Sequence, residues 1–316
     1  MSATRTVLTH LGQALSQVVV GQSMLVQQLL VALLSGGHVI LEGVPGTGKT
    51  LLVKVLATLV QAEFRRIQLT PDMLPSDITG TNILDVNNRN FILKKGPVFT
   101  QVLLADEINR TPPKTQAALL EAMEEQQVTL DGERLPLPEL FWVIATQNPL
   151  EFEGTYPLPE AQLDRFLFKL VVDYPAPSSE KQMLLNIQAG FQSRRLDIAA
   201  LHPVATAQQI LHARECVRAV TVSEAIVDYL LALVQRSRQY RDLTLGASPR
   251  SAVAWLQASQ ATAWLSGQDY VTPDDVKAVA LPLLRHRLIL KPEAILDGIQ
   301  IESVIAGLLN QVPVPR

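Results

Sequence analysis

Hydrophobic positions in the first half of the chain follow two periodicities. Short, almost continuous apolar runs are typical of buried strands, whereas apolar residues that recur every three or four positions indicate helices. Elements of these two kinds that alternate predict a mostly parallel sheet covered by helices on both faces. The predicted strands are His38–Leu41, Arg66–Leu69, Val102–Ala105, Phe141–Ala145 and Phe166–Val172, and the predicted helices include Ser23–Leu34, Thr50–Leu59 and Lys114–Glu125.

The pattern changes near Pro175–Ser179, after which only helical periodicity is found. Two helix starts are marked there by a hydroxyl residue followed by proline, at Ser248-Pro249 and Thr272-Pro273. This order is typical of an N-cap followed by the first helical position. We therefore expect an α/β domain over residues 1–175 with a five-stranded parallel sheet, and an all-helical domain over residues 180–316.

Two segments resemble hairpins inserted into the α/β domain. One is Asn82–Val98, with a turn at Asn87-Asn88, and the other is Gln127–Leu137, with the strong turn dipeptide Asp131-Gly132. A minimal nucleotide-binding sheet needs neither hairpin, so both are candidates to carry function.

The composition narrows the class of protein. Among 316 residues, 47% are hydrophobic and 18% are charged, which excludes a disordered chain and indicates a large core, a large subunit interface or both. The net charge of -3 excludes a bulk polycation that coats nucleic acid. A single cysteine, Cys216, excludes an intramolecular disulfide. No apolar run approaches the roughly 20 residues that span a bilayer, so we expect a cytoplasmic protein without membrane insertion.

A complete phosphate-binding motif follows the first predicted strand. Gly43–Thr50 (GVPGTGKT) matches G-x-x-x-x-G-K-[ST] in full and opens a helix. Glycines let consecutive backbone N–H groups converge on a phosphate, and the helix N-terminus adds a favourable dipole. We expect Lys49 to bridge the outer phosphates and the Thr50 hydroxyl to bind magnesium.

Two carboxylates end the apolar strand Val102–Ala105. Asp106 can hold magnesium through water, and Glu107 can polarise the attacking water. The next strand ends in Thr146-Gln147-Asn148-Pro149. The Asn148 amide can orient the water opposite Glu107, but Asn-Pro is also an ordinary turn former, and the residues alone leave both interpretations open.

Two arginines are further candidates. Arg165 begins the last strand and has two interpretations, a local salt bridge with Asp164 or Glu160, or an arginine finger that reaches a γ-phosphate in a neighbouring subunit. Arg250 is the second residue of a predicted helix, where a cation opposes the helix dipole by about 0.3–1 kcal/mol. An anionic partner would remove this conflict, and a phosphate and a nearby surface carboxylate both remain open.

Taken together, these segments resemble an AAA+ ATPase and, more closely, the MoxR family. The resemblance covers nearly the whole chain. The segments that carry it are Val20-Gly21-Gln22, Gly43–Thr50, Leu69–Gly80 (LTPDMLPSDITG), Leu104–Arg110 (LADEINR), Ala145–Pro149 (ATQNP), Pro159–Phe166 (PEAQLDRF), Leu245–Arg250 (LGASPR), Tyr270–Val276 (YVTPDDV) and Leu284–Leu288 (LRHRL).

The resemblance implies a role for each matching position. Asp106 and Glu107 match the Walker B acids, Asn148 sensor 1, Arg165 the arginine finger and Arg250 sensor 2. The hairpin Asn82–Val98 matches the helix-2 insert and Gln127–Leu137 the pre-sensor hairpin, elements that line the central face of related rings. The helical domain matches the AAA+ lid. The implied ATP contacts are Gly21 and Gln22 near the adenine, with Gly43, Pro45, Gly46, Thr47, Gly48, Lys49, Thr50 and Leu51, and the implied magnesium ligands are Thr50 and Asp106.

The family resemblance also implies partners. Such proteins typically form hexamers and act as chaperone-like factors in the maturation of metalloenzymes and other complexes, often with proteins that carry a von Willebrand factor A domain. The 316 residues include no appended domain of that kind, so we expect such a partner to be a separate protein. A ring motor on nucleic acid, a chelatase-like motor subunit and a nucleotide-gated scaffold are the alternatives. The isoelectric point of about 6.0 and the lack of a long basic tract disfavour nucleic acid without excluding it.

Overall fold

The computed structural model describes residues 2–19, 21–85, 90–149, 154–188 and 202–315. Val20 and the Asn87-Asn88 turn, both used above, lie outside these residues. The elements up to residue 188 are α1 (Ser2–Val18), α2 (Ser23–Ser35), β1 (Val39–Glu42), α3 (Lys49–Leu59), β2 (Phe64–Gln68), α4 (Pro75–Thr79), β3 (Gly80–Asp85), β4 (Asn90–Lys95), β5 (Val102–Asp106), a 3-10 turn (Ile108–Arg110), α5 (Pro113–Glu125), β6 (Gln127–Leu130), β7 (Glu133–Pro136), β8 (Trp142–Gln147), α6 (Glu160–Leu163), β9 (Phe168–Val171) and α7 (Pro177–Gln188).

All five predicted strands form one parallel sheet, in the order β2-β5-β8-β1-β9. The predicted fold class is therefore confirmed. Because the strands are parallel, the carboxyl ends of β1, β5 and β8 meet at one edge of the sheet. The loop that starts at Gly43, the acids at Asp106 and the amide of Asn148 all follow these ends.

Alternate residues of the central strands enter two separate cores, which explains why the strands are apolar throughout. Leu104 and Ile144 pack into the cluster beneath α2 and α3, whereas Leu103 and Val143 pack into the cluster beneath α4 and α5. A strand with two buried faces has no position for a solvated side chain, so its sequence is a continuous apolar run.

Both predicted hairpins are present. In β3–β4, Ile83 pairs with Ile92, and the side chains of Ile83, Leu84 and Phe91 are exposed, Phe91 by 72%. In β6–β7, Asp131 and Gly132 both have positive φ, 50° and 86°, as a tight hairpin turn requires. The Asn82 amide donates to an Asp131 carboxylate oxygen at 2.6 Å, so the two hairpins are joined to each other.

The chain after residue 202 is mostly helical. Its elements are α8 (Ala207–Arg218), α9 (Glu224–Arg238), β10 (Leu243–Leu245), α10 (Pro249–Leu265), α11 (Pro273–Ala278), α12 (Ala280–Leu284), β11 (Ile289–Leu290), α13 (Pro292–Leu296) and α14 (Ile301–Gln311). The two helix starts predicted from Ser248 and Thr272 are confirmed, because each hydroxyl accepts from the backbone N–H three residues on. The short antiparallel pair β10–β11 is an addition to the all-helical prediction, and its two- and three-residue strands are too short to show a period.

The C-terminal helices and the sheet share one hydrophobic cluster. Trp255 and Trp264 of α10 are fully buried in the same cluster as Val39 of β1. The helix α1, for which the sequence analysis had no prediction, closes this cluster with Leu8, Leu11 and Leu15. Across the described ranges, no helix combines the length and the apolar character that a bilayer crossing requires.

Candidate functional site

The loop between β1 and α3 has the conformation that its glycines predict. Gly46 and Gly48 have φ of 83° and 82°, a region that favours glycine, and Gly48 is the N-cap of α3. At Gly43 a Cβ atom would lie 2.3 Å from the Val172 carbonyl oxygen, so no side chain fits there. The N-terminus of α3 therefore opens directly onto the loop, which is the geometry that binds phosphate.

The side chain of Lys49 folds back onto the start of this loop. Its Nζ donates to the carbonyl oxygens of Gly43 at 2.6 Å and Val44 at 2.9 Å. Burial lowers the pKa of Lys49, and the nearby carboxylates of Asp106 and Glu107 oppose that shift. The amine is thus held between the loop backbone and the two acids.

Asp106 is buried at the end of β5. One carboxylate oxygen, Oδ1, accepts from the Thr146 hydroxyl at 2.6 Å. The other, Oδ2, accepts from Arg66 Nε at 2.8 Å and lies 2.7 Å from Arg66 Nη2. The sheet register explains why Arg66 reaches Asp106, because β2 runs beside β5 with Gln68 opposite Asp106.

Glu107 adopts a left-handed backbone conformation, with φ of 59°. Its N–H donates to the Thr146 hydroxyl at 2.9 Å. Its Oε2 accepts from Gln68 Nε2 at 2.6 Å and lies 3.1 Å from Arg110 Nε. The carboxylate of the predicted base is therefore held by side chains on both sides.

A cavity of about 590 Å³ collects these groups, and we call it the phosphate-loop cavity. Its lining includes Arg66, Gln68 and Thr146 beside the residues predicted from the sequence, which are Gly43, Pro45, Gly46, Thr47, Gly48, Lys49, Thr50, Leu51, Asp106, Glu107 and Asn148. The Thr50 hydroxyl and the Asp106 carboxylate are hard oxygen donors, the type that Mg²⁺ prefers, so these residues fit a magnesium ion.

The two residues expected near the adenine lie apart from this lining. A Cβ atom on Gly21, which has φ of 83°, would lie 2.3 Å from the Ser179 hydroxyl of α7. Gln22 is the N-cap of α2. The structure thus brings Gly21 against the start of α7, and an adenine contact at Gly21 and Gln22 stays a prediction.

Arg165 and Arg250 also lie outside the phosphate-loop cavity. Both guanidinium groups contact one carboxylate, Glu124 at the end of α5, with Arg165 Nε 3.0 Å from its Oε2. We call these three residues the arginine cluster. It borders a second cavity of about 360 Å³. For Arg250 the surface carboxylate is the partner observed, and for Arg165 the partner is Glu124 rather than Asp164 or Glu160.

A buried ion pair fixes the backbone beneath the arginine cluster. Arg287 Nε donates to Asp164 Oδ1 at 2.6 Å, and the other Arg287 nitrogens donate to carbonyl oxygens that include Phe166 and Leu167 at 2.7 and 2.9 Å. The Ser248 hydroxyl at the start of α10 donates to the second Asp164 oxygen at 3.0 Å. Asp164 therefore ties the segment that carries Arg165 to the helix that carries Arg250.

Several residues of these sites were given no role by the sequence analysis, among them Arg66, Gln68, Thr146 and Glu124. Arg66 and Gln68 carried a signal, because polar residues two positions apart on one strand share one face. Thr146 lay within a quoted motif without a role. Glu124 carried no signal, because an acid at the end of a helix is ordinary surface composition.

Comparison with known proteins extends these observations. The family model described as the ATPase family associated with various cellular activities (AAA) matches residues 38–168, and the AAA lid domain model matches residues 235–307. The chain is 46% identical to the uncharacterized protein YeaC of Bacillus subtilis, over 95% of the chain and 92% of that relative. It is 42% identical to Chaperone MoxR1 of Mycobacterium tuberculosis, over 95% of the chain and 80% of that relative. A crystal structure from Cytophaga hutchinsonii, provisionally described as an ATPase, has a TM-score of 0.90 at 40% identity and covers 99% of this chain and 96% of its own.

Proposed function

The chain belongs to the MoxR family of AAA+ ATPases and hydrolyses ATP, and we propose that it works as a ring-forming, chaperone-like factor that remodels protein complexes. One observation carries the proposal. The phosphate-loop cavity gathers the loop, both acids and Asn148, while Arg165 and Arg250 are held outside it on Glu124. We infer that a site that has its base but lacks Arg165 and Arg250 is completed by a second copy of the chain.

Each residue of the cavity has a task in this proposal. The backbone N–H groups of the loop and Lys49 bind the outer phosphates. Thr50 and Asp106 would hold a magnesium ion, which would neutralise charge at those phosphates. The Glu107 carboxylate first leaves its partners Gln68 and Arg110 and then polarises the attacking water. Asn148 orients that water from the end of the neighbouring strand.

The ring assignment rests on the arginine cluster. Arginine fingers stabilise the charge that develops in phosphoryl transfer and are worth about 10³–10⁵ in rate. Since Arg165 and Arg250 share a partner in one protomer, we propose that both face the nucleotide of the adjacent protomer, in a homo-hexamer.

The client assignment rests on the two joined hairpins. The β3–β4 hairpin exposes Ile83, Leu84, Phe91 and Ile92, and exposed apolar groups of this kind mark protein-binding surfaces. The name of one relative, Chaperone MoxR1, supports a protein client. We propose maturation of metalloenzymes or other complexes together with a separate von Willebrand factor A domain protein. A cytoplasmic location stays a prediction.

Glu107→Gln tests the hydrolytic part of the proposal. The variant should bind ATP as tightly as the wild type within about twofold and lose about 10²–10⁴ in turnover, because the amide cannot accept a proton. Glu293→Gln, an exposed glutamate of α13, is the matched control and should change neither quantity. Undiminished turnover of Glu107→Gln would remove this residue from the base role.

The same variant tests the client part. Glu107→Gln held in ATP is used to capture partners from a native extract, with and without nuclease. Recovery of a defined protein that survives nuclease, above all one with a von Willebrand factor A domain, supports the remodelling factor. Recovery that vanishes with nuclease would replace it with a motor on nucleic acid.

A further inference from the structure

Strand β2 presents two polar side chains to the phosphate-loop cavity, Arg66 and Gln68. They stand two positions apart and therefore share one face of the strand. Arg65, the residue before Arg66, pairs instead with Glu63. The strand thus delivers one guanidinium and one amide to the acids of the site.

Arg66 occupies the outer side of the Asp106 carboxylate. Its Nε and Nη2 lie 2.8 and 2.7 Å from Oδ2, and the Thr146 hydroxyl takes Oδ1 at 2.6 Å. Both oxygens of Asp106 are therefore engaged by protein donors. A metal ion that uses this carboxylate has to compete with the Arg66 guanidinium for Oδ2.

Arg66 also has a second acceptor within reach. Its Nη2 donates to Gln68 Oε1 at 3.0 Å, and the side chain is 48% exposed whereas that of Asp106 is 10% exposed. A half-exposed guanidinium can leave a carboxylate without becoming a buried unpaired charge, because Gln68 and water remain as acceptors. The ion pair between Arg66 and Asp106 can therefore break and form again without a large loss of free energy.

We propose that Arg66 is a positioning residue that competes with Mg²⁺ for Asp106, so that the nucleotide-free site is closed to the metal until nucleotide and Mg²⁺ arrive together. This inference rests on the proposed function of the same cavity. It adds a regulatory counter-ion to the metal site. When Arg66 leaves Asp106, its guanidinium keeps Gln68 as a hydrogen-bond acceptor. The free energy of Mg²⁺ binding at Asp106 therefore depends on both side chains.

The test measures the magnesium dependence of nucleotide binding. A fluorescent, non-hydrolysable ATP analogue is titrated into the full-length protein at a series of Mg²⁺ concentrations, and the Mg²⁺ concentration that gives half of the affinity gain is compared between variants. This half-saturating Mg²⁺ concentration is not changed by a substitution that alters the affinity for the analogue equally with and without Mg²⁺. Thermal unfolding of each variant confirms that it is folded.

Arg66→Met should lower the half-saturating Mg²⁺ concentration by about twofold to fivefold, the range expected when one partly exposed ion pair is removed. Gln68→Leu should raise it by about twofold, because the displaced guanidinium loses its second acceptor. Arg65→Met, the neighbouring arginine of the same strand, should leave it unchanged. Opposite shifts at Arg66 and Gln68 separate competition from a general loosening of the strand.

An unchanged or higher Mg²⁺ requirement in folded Arg66→Met would overturn the inference and leave the proposed function standing. A wild-type protein that binds no analogue at any Mg²⁺ concentration would overturn the proposed function, and the inference with it. Arg66→Lys serves as a second variant if Arg66→Met does not fold. It keeps the charge but loses the two-nitrogen contact, and the same direction of shift is expected.

Discussion

The phosphate-loop cavity and the arginine cluster are built in different ways. About half of the cavity lining comes from one contiguous loop, Gly43–Thr50, which contributes its backbone and the side chains of Lys49 and Thr50. The ends of β5 and β8 and two residues of β2 supply most of the rest. The arginine cluster brings side chains from α5, from the turn after α6 and from α10 to one point. A backbone site is encoded locally by glycines and a helix start, whereas a side-chain site exists only after distant segments have packed.

The two regions also differ in how firmly they hold their charges. Lys49 is fixed by two backbone carbonyls within its own loop. Arg165 and Arg250 are held by one carboxylate that is about a third exposed, and exposed ion pairs contribute about 0–1 kcal/mol each. The arginines can therefore exchange Glu124 for another anion at little cost, and Lys49 is placed for a ligand within its own subunit.

The largest effect that separates the two regions is expected in mixed rings. Arg165→Ala should lose about 10³-fold in turnover while binding ATP normally, and Lys49→Ala should lose binding. Mixing the two inactive proteins should restore part of the activity, since each supplies what the other lacks. Arg241→Ala, an exposed arginine paired with its neighbour Asp242, is the control. Absence of rescue across all mixing ratios would place Arg165 in its own subunit's chemistry.

A smaller effect is expected on stability, and it distinguishes the arginine cluster from the ion pair beneath it. Asp164→Asn should lower the free energy of unfolding by about 2 kcal/mol, because Arg287 is buried and is left without its counter-charge. Glu124→Gln, the matched control in the cluster, should cost less than about 1 kcal/mol. Urea unfolding measures both, and equal losses would show that the two carboxylates are equivalent supports.

The third effect is absent at neutral pH and appears only in acid. His38 lines the cavity beside the arginine cluster, where Val143 N–H donates to its Nδ1 and its Nε2 lies 3.2 Å from the Met123 carbonyl. Burial lowers the pKa of His38 from 6.5 to about 4. Above pH 6.5 both folded and unfolded states are neutral, so stability is unaffected. Between pH 6.5 and 4 only the unfolded state takes the proton, and stability falls by about 3 kcal/mol in total.

His38→Gln isolates this contribution. The difference in unfolding free energy between wild type and variant should shrink as the pH falls through that window, because the variant has no proton to exclude. The buried His286, whose pKa burial also lowers, contributes equally to both proteins and cancels. A difference that stays constant from pH 7 to pH 4 would contradict the assignment.

The sequence predicted the sheet and the phosphate-loop cavity because both depend on short-range patterns. Mostly apolar runs located four of the strands, the alternating segment Arg66–Leu69 located the fifth, and the loop motif located Lys49 and Thr50. The helix α1 could have been predicted, because Leu8, Leu11 and Leu15 recur at the helical spacing of three and four residues, and the sequence analysis left that signal unused. The partners of the charged groups were missed for a different reason. Which carboxylate meets Arg250 depends on how α5 and α10 approach, and no local pattern records that approach.

The hydrophobic cluster that joins the lid to the sheet has a mechanical consequence. To swing the lid away from β1, α10 would have to withdraw fully buried tryptophans from that cluster, at about 1.5–3 kcal/mol for each large side chain exposed. The lid and the sheet of one protomer should therefore move together as one rigid unit. In the proposed ring, nucleotide turnover would then change the orientation of neighbouring protomers relative to each other, and the joined hairpins would move with the protomer that carries them.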